Sequence, residues 1–282
     1  MKYKSVPLIV AVVTSIAFAQ SGPAHPPDNI NRFHKVSFRM GVQQEGLMDE
    51  VYSTLLYEGK GVGLNISYEL EKLYSYHRIS LSGSAHSISP ADESIPESFI
   101  YLLRDGEQRI THYSANAVDL NLRYDYQRLI TRFTRYRLKW YLGGALDNRL
   151  YYFKRHSEQD RSWIVAYSLD ASTKLEYVRS CNHAFSIQLF LPVFSLVHRP
   201  PYAGYDENTM DYSGFDYLSR VKPMDVSRYF NVSGLVSYEY YFDCKTALTF
   251  SWMSSFSRCT DPRSASIMSH QIKCGLTFLF RT

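Results

Sequence analysis

Apolar and polar residues alternate with a period of two through much of this chain, most regularly near its end. From Ser269 to Phe280 the even positions are mostly apolar and the odd positions mostly polar: His270, Ile272, Cys274, Leu276, Phe278 and Phe280 against Ser269, Gln271, Lys273, Gly275, Thr277 and Leu279. Successive side chains of a β-strand point to opposite faces, so such a strand has one apolar face. Alternation over about a dozen residues is long for a soluble strand, but it fits a strand that crosses a bilayer obliquely. We predict that the apolar face contacts lipid.

The same period predicts ten strands, at about 35–43, 62–70, 76–86, 113–126, 135–153, 165–175, 183–193, 228–241, 248–256 and 269–280. Short connections at 71–75, 128–134, 178–182 and 242–245 alternate with mostly longer ones at 44–60, 87–112, 154–161, 196–227 and 258–266. Short periplasmic turns and longer outer loops are typical of transmembrane barrels. We therefore predict an all-β fold, a transmembrane antiparallel up-and-down β-barrel. It would have twelve strands instead of ten if 44–60 or 196–227 contains a hairpin.

The N-terminus has the features of an export signal. Lys2 and Lys4 precede an apolar run, residues 6–16, which is followed by Ala17-Phe18-Ala19. A basic start, a short apolar segment and a small-residue cleavage site are typical of a secretory signal peptide. The predicted organisation is a signal peptide at 1–19, a periplasmic tail at 20–34 and a barrel at 35–282. A short membrane anchor is the alternative interpretation of the apolar run.

Composition narrows the class of protein. The chain has 282 residues, of which 45% are hydrophobic and 21% charged, and a mean hydropathy of −0.27, which argues against several helical spans. The 24 Tyr and 16 Phe suit the aromatic girdles of a membrane barrel. A formal net charge of +4 gives no sign of nucleic-acid binding. No phosphate-binding glycine loop or paired-cysteine zinc motif is present, so we predict neither a cofactor nor a metal.

The last residues also carry a recognisable spacing. The stretch Lys273-Cys274-Gly275-Leu276-Thr277-Phe278-Leu279-Phe280 places a polar residue, a glycine and two aromatic residues at intervals of two, three and two positions. This spacing resembles the C-terminal insertion signal of bacterial outer-membrane β-barrels, carried by Gly275, Phe278 and Phe280. The resemblance implies location in the outer membrane of a Gram-negative cell. It also implies contact with outer-membrane lipid and, during biogenesis, with the barrel-insertion machinery.

Charged residues of both signs fall on the predicted inward faces. They are predicted to form an interior polar network, whose main members are Arg39, Glu69, Arg78, Asp119, Arg123, Arg137, Lys139, Asp170 and Lys273. An isolated buried charge is unfavourable, so these side chains should pair across neighbouring strands. Because barrels of about eight strands are filled by side chains, ten strands should leave little open lumen. The alternative is a narrow, porin-like conduit for a small solute.

One cluster suggests catalysis. His112, Ser114 and Asn116 occupy alternate positions at the start of the fourth predicted strand and would share its lipid-facing side near the outer rim. A histidine two residues before a serine is similar to the arrangement in outer-membrane phospholipase A. The resemblance implies His112 as general base, Ser114 as nucleophile and Asn116 as the residue that orients the histidine. That family places its amide residue farther along the chain, and the alternative is a polar strand end without catalytic function.

Other candidates have weaker patterns. Ser84 and His86 should point inward at the top of the third strand, facing acids of loop 87–112. The long loop 196–227 contains acidic residues that could bind a cation and aromatic residues that could form a recognition surface: Asp206, Glu207, Asp211, Asp216, Tyr202, Tyr205, Tyr212, Phe215 and Tyr217. Cys181 and Cys244 fall in neighbouring periplasmic turns, where a disulfide is geometrically conceivable.

Three functions remain open from the sequence. The favoured one is an outer-membrane barrel of structural or interaction type, whose outer loops 87–112 and 196–227 contact an extracellular ligand or partner. The alternatives are a narrow solute pore and an outer-leaflet lipid hydrolase. An enzyme is the less favoured class.

Overall fold

The computed structural model describes residues 32–50, 53–92, 94–95, 98–102, 108–112, 114–133, 137–155, 161–180, 182–199, 221–261 and 263–281. The predicted signal peptide lies outside these residues, as does the predicted tail as far as residue 31. Within the described ranges, no helix has the length and apolar character needed to cross a membrane.

The described residues form thirteen strands: β1 (Arg32–Asp49), β2 (Ser53–Lys72), β3 (Ser75–Pro90), β4 (Ser98–Leu102), β5 (Gln108–His112), β6 (Ala115–Phe133), β7 (Leu138–Arg155), β8 (Arg161–Ser180), β9 (His183–His198), β10 (Lys222–Met224), β11 (Tyr229–Tyr241), β12 (Thr246–Cys259) and β13 (Ala265–Arg281). Ten of them pair in the order β9-β11-β12-β13-β1-β2-β3-β6-β7-β8, and β8 pairs back with β9. Every ladder between these strands is antiparallel. The predicted ten-stranded up-and-down barrel is confirmed.

The first and last barrel strands close the cylinder. β1 and β13 pair without interruption from Phe33↔Arg281 to Asp49↔Ala265. This long ladder leaves no open edge between the two strands, which is the condition that hydrocarbon imposes on a β-structure.

The outer surface has the composition of a membrane-spanning barrel. Outward residues on the central parts of the strands are large and apolar, and Met40 and Val62 are 66% and 67% exposed. Inward neighbours on the same ladders are polar and buried, and Arg39 and Lys273 are each only 6% exposed. A soluble protein would bury the first set and expose the second. The apolar belt and polar interior together establish the transmembrane class of barrel.

The prediction of a linker at 44–60 is wrong. β1 continues to Asp49 and β2 begins at Ser53, so only residues 50–52 connect them. The glycines that suggested a loop serve close packing instead, because a Cβ at Gly59 would lie 2.1 Å from the Ser87 carbonyl oxygen and one at Gly61 would lie 2.2 Å from that of Ala85. Glycine allows the two backbones to approach here.

Because of this extension, β1, β2 and β3 project beyond the apolar belt. β2 has 20 residues, whereas about 9–11 tilted residues cross a hydrocarbon core. Outward positions on these extensions include five polar residues, Gln44, Glu58, Lys60, Ser87 and Ser89, and the exposed Leu56. We call this end of the barrel the loop end. The opposite end, with the tight connections at 73–74 and 242–245, is the turn end.

Two short elements lie at the loop end. β4 and β5 pair with each other in a separate two-stranded sheet, so the predicted loop 87–112 contains a hairpin. β10 pairs with β9 at residues 195–197, while β11 pairs with β9 only from Phe190↔Ser233 toward the turn end. β10 therefore extends the ladder beside β9 where β11 has diverged from it.

Aspartates organise the tight connections. The Asp243 carboxylate accepts hydrogen bonds from the backbone N–H groups of Lys245 and Thr246 at 2.7 and 2.6 Å, as predicted for a turn at 242–245. Before β11, the Asp225 carboxylate accepts hydrogen bonds from the Ser227 hydroxyl at 2.6 Å and from the backbone N–H groups of Ser227 and Arg228. These hydrogen bonds, above all the one from the hydroxyl, lower the pKa of the Asp225 carboxyl.

Candidate functional site

The interior of the barrel at the turn end is a network of ion pairs. Lys139 lies between two carboxylates, 2.5 Å from Glu71 and 3.1 Å from Glu176, and Lys174 contacts Glu176 at 2.9 Å. Lys35 pairs with Glu239 at 3.0 Å. These residues come from distant strands, so the pairs cross the lumen as well as following the ladders. Each of these charged groups lies against an opposite charge, as buried ions require.

Aromatic residues fill the space around these ions. The Lys174 ammonium lies 3.8 Å from the centre of the Tyr76 ring, and the Tyr141 hydroxyl donates to Glu71 at 3.0 Å. Cation–aromatic contact is strongest where water is excluded. The turn end of the lumen is thus closed by packed, paired side chains.

The middle of the lumen contains two arginine–aspartate pairs. Arg149 binds Asp119 through two hydrogen bonds of 3.0 and 2.8 Å, and Arg123 binds Asp147 at 2.8 Å. The guanidinium of Arg123 also stacks on Phe190, 4.0 Å from the ring centre. Planar guanidinium groups suit this combination of two-point binding and stacking.

Beside these pairs lies a cavity of about 30 Å³. Four cationic residues line it, Arg39, Arg78, Arg123 and Lys273, and no carboxylate of the described residues does. A cavity needs roughly 10–15 Å³ to hold one water, so this one has room for about two.

A second buried cluster lies nearer the loop end and centres on Glu45. Its carboxylate contacts His86 Nε2 at 2.7 Å, accepts from Gln43 Nε2 at 3.0 Å and accepts from the Tyr151 hydroxyl. The Glu45 and His86 side chains are both 0% exposed. The cluster is therefore inaccessible to a substrate and acts as a polar joint between β1, β3 and β7.

Above the Glu45 cluster the lumen is apolar. The outer apolar cluster consists of Leu47, Tyr57, Ile88, Ala115, Ala117, Tyr151, Phe153, Ile164, Ala166, Val197, Met224, Tyr229, Cys259, Ala265 and Ile267, all buried. A cavity of about 10 Å³ lies beside it, lined in part by Tyr151, Tyr229 and Ile267. Arg199 forms an ion pair with Asp49 and also donates to the Arg263 carbonyl. The described loop end of the lumen is therefore closed as well.

The sequence prediction placed nine residues in the interior network, and eight line the lumen, with Arg39, Arg78, Asp119, Arg123, Asp170 and Lys273 buried and Glu69 and Lys139 partly buried. Arg137 requires a correction. It lies in the turn before β7 with a φ of 50°, is exposed, and donates to the Arg179 carbonyl at 2.8 Å. The strand was predicted from residue 135, but β7 begins at Leu138. Arg137 is thus part of a turn, and residues 135 and 136 lie outside the described residues.

The catalytic candidates do not share one strand. His112 ends β5 in the separate hairpin, whereas Asn116 is on β6 and exposed, and Ser114 lies between the two strands. The prediction assumed one continuous strand from residue 113, but the chain leaves the two-stranded sheet after His112 and enters the barrel at Ala115. The parity that would align the three residues is therefore lost, and the side chain of His112 lies outside the described part.

Ser84 and His86 do point inward, but the partner of His86 is Glu45 and not an acid of loop 87–112. Sequence reasoning missed Glu45, Gln43 and Tyr151 as a unit. The available signal was the alternation of Gln43, Glu45, Leu47 and Asp49, which continues the inward face of β1 through the supposed linker.

The acidic and aromatic residues of the long loop, 202–217, lie outside the described residues, as does Cys181. Cys244 is a free, exposed cysteine. Among the described residues, no group of three or more His, Cys, Asp and Glu side chains is arranged to hold a metal. Three residues carry the resemblance of the last strand to an insertion signal. Phe278 and Phe280 point outward and are 37% and 55% exposed, and Gly275 lies against β1.

No protein-family model and no curated protein matches the chain. Similar solved structures include the outer membrane protease OmpT from Escherichia coli, 11% identical over 93% of this chain and 100% of that chain, with a TM-score of 0.44. The P. putida toluene transporter TodX is 8% identical over 91% of each chain, with a TM-score of 0.36. The translocator domain of the autotransporter NalP from Neisseria meningitidis is 8% identical over 96% of this chain and 93% of that chain, with a TM-score of 0.40. At such low identities and TM-scores none of them decides what this chain does, and the barrel is established by its own strand pairing.

Proposed function

We propose that this chain is an outer-membrane β-barrel of structural or interaction type, with a closed lumen and an interaction surface at the loop end. The observation that carries the proposal is closure of the described lumen at two levels. Ion pairs and tyrosines fill the turn end, and the outer apolar cluster fills the loop end. A pathway for an ion or polar solute would need a continuous polar route, and fifteen buried residues of apolar type interrupt it.

The loop end provides the surface for interaction. The polar projections of β1, β2 and β3 and the β4–β5 hairpin rise beyond the apolar belt, where they would meet the extracellular medium if both termini face the periplasm. Placement in the outer membrane of a Gram-negative cell follows from the predicted export signal and the resemblance of the last strand to an insertion signal. Functional residues of barrels and sandwiches concentrate in such loops because the scaffold holds them rigidly.

Conductance across a planar bilayer tests the closed lumen. The wild-type protein, refolded and inserted, is expected to give no reproducible current steps, because ion pairs and buried apolar side chains fill the described lumen. Insertion is verified separately by resistance of the protein to alkaline extraction from the vesicles. A general porin in the same membranes serves as the positive control. Reproducible steps from the wild-type protein would establish the alternative, a narrow pore.

The β4–β5 hairpin is expected to be dispensable for folding. Its two strands pair only with each other, so replacing residues 98–112 by a short Gly-Ser linker removes no rung of the barrel ladder. We expect the urea midpoint of unfolding to change by less than the equivalent of about 1 kcal/mol. As a matched control, replacing residues 246–259, which form β12, should prevent folding. Failure of the hairpin variant to fold would show that the hairpin supports the barrel and does not merely project from it.

A further inference from the structure

The cavity in the middle of the lumen has an imbalance of charge. Arg78 and Arg123 have carboxylate partners, Glu69 at 3.6 Å and Asp147 at 2.8 Å. Arg39 and Lys273 form no ion pair within 4.0 Å in the described part of the chain. Arg39 donates to the Ser67 hydroxyl at 3.0 Å, while its Nε has no hydrogen-bond partner among these residues. Two buried cations thus line one cavity without an adjacent countercharge.

The sequence makes room for this arrangement. Lys273 is in register with Gly41 on β1, and Gly41 is in register with Gly63 on β2. A Cβ at Gly63 would lie 3.2 Å from Lys273 Cε, so the lysine stem lies across two glycines. Glycine at positions 41 and 63 therefore gives the Lys273 side chain room inside the lumen.

Two buried carboxylates without a hydrogen-bond partner in the described structure do not complete the site. Asp125 and Asp170 are buried and have oxygens without hydrogen-bond partners among the described residues, but neither lines the cavity. Their charges act on the cations only from a distance, and distant attraction does not replace a contact partner for a dehydrated cation. The uncharged lining groups include Asn65 and Gln271, whose amides can donate to an anion.

We propose that this cavity binds one small monovalent anion of the halide class, held between the Lys273 ammonium and the Arg39 guanidinium. The described lining combines four cations with amides, serine hydroxyls and the apolar side chains of Phe190, Leu235 and Met253, and none of its residues is a carboxylate. The volume of about 30 Å³, which is room for about two waters, suits a small ion. With both ends of the described lumen closed, the ion is a structural counter-ion that enters as the barrel forms. Its role is distinct from the interaction function proposed above.

The test is the dependence of stability on bromide. Refolded wild-type protein in detergent is unfolded with urea in sodium bromide and in sodium gluconate at equal ionic strength, and followed by tryptophan fluorescence. A ligand that binds only the folded state raises the folded-to-unfolded ratio by a factor of one plus its concentration over Kd, about tenfold at ten times Kd. We expect a higher and saturable midpoint in bromide. We also expect one bromide anomalous peak in crystals, in contact with Lys273 and Arg39.

Variants separate specific binding from a general salt effect. Lys273→Met keeps an unbranched stem and removes the ammonium group. It is expected to abolish the bromide dependence while being at least as stable as the wild type in gluconate. Lys222→Met removes an exposed lysine, 3.4 Å from Asp261, and should keep the full bromide dependence. If Lys273→Met does not fold, Arg39→Met takes its place. Equal midpoints of the wild type in both salts, or a bromide effect that survives in the cavity variant, would overturn the proposal.

Discussion

Replacing Glu45 by alanine is expected to lower the free energy of unfolding by about 3–5 kcal/mol, because removing one partner from a buried charged network leaves the others uncompensated. Three side chains lose their shared acceptor: His86, Gln43 and Tyr151. All three are buried and cannot turn to water instead. The measurement is urea unfolding of the refolded protein, with midpoint and slope compared with the wild type.

Glu58→Ala is the matched control for this variant. Glu58 is on β2, is exposed and points outward beyond the apolar belt. Its removal should change stability by no more than about 0.5 kcal/mol, as is usual for surface positions. If the two glutamate variants lost similar stability, the Glu45 cluster would not be the joint between strands described above.

Replacing Gly275 by alanine is expected to destabilise the barrel by more than about 3 kcal/mol, or to prevent its closure. A Cβ at this position would lie 1.8 Å from the Phe38 carbonyl oxygen, so the backbone of β1 would have to move. The clash falls on the β1–β13 ladder, which closes the cylinder. The fraction of protein that acquires the faster electrophoretic migration of an unheated, folded barrel measures the loss.

Gly46→Ala controls for the loss of a glycine on the same ladder. A Cβ there would approach nothing closer than the Tyr57 carbonyl oxygen at 4.0 Å, and Gly46 pairs with Met268 of β13. This variant should fold normally. Because Gly275 also belongs to the stretch that resembles an insertion signal, both variants are compared by refolding into detergent without any cellular machinery. A defect of Gly275→Ala that occurred only in cells would contradict steric packing as its cause.

The two variants probe different parts of the barrel. Glu45 lies in the interior beneath the outer apolar cluster, and Gly275 lies on the seam nearer the turn end. Their residues share no direct contact in the described structure, so their effects on stability should be nearly additive. A double variant that loses much less than the sum would indicate that the seam and the Glu45 cluster are coupled.

The local pattern of apolar and polar residues was enough to predict much of the fold. Alternation of period two located all ten barrel strands and assigned Met40, Val62 and their neighbours to lipid. This works because a strand has only two faces, and in a membrane barrel they meet solvents of opposite polarity. The pattern failed where glycine interrupted it, at 59 and 61, because the sequence cannot distinguish a glycine that turns the chain from one that admits a neighbouring backbone.

Of the candidate sites, the interior charges were predictable one at a time but not as pairs. The positions of Arg39, Glu69 and Lys273 in the alternating pattern predict that their side chains point inward. Which of these side chains meet depends on how neighbouring strands are aligned in the closed sheet. Arg137 shows the limit of parity, since a turn with a left-handed residue begins where the alternation suggested a strand. His112 and Ser114 show a second limit, because the chain passes there from the hairpin to the barrel.

By itself, the sequence determined that this protein is a cylinder of two-faced strands with lipid on one side, because one-dimensional periodicity encodes which face each residue takes. Tertiary structure alone decided how the lumen is closed: which carboxylate meets Lys139, that Glu45 joins three strands, and that Arg39 and Lys273 share a cavity without an adjacent acid. Such contacts join residues that are tens to hundreds of positions apart, and they depend on the register and shear of the closed sheet, which no local pattern specifies.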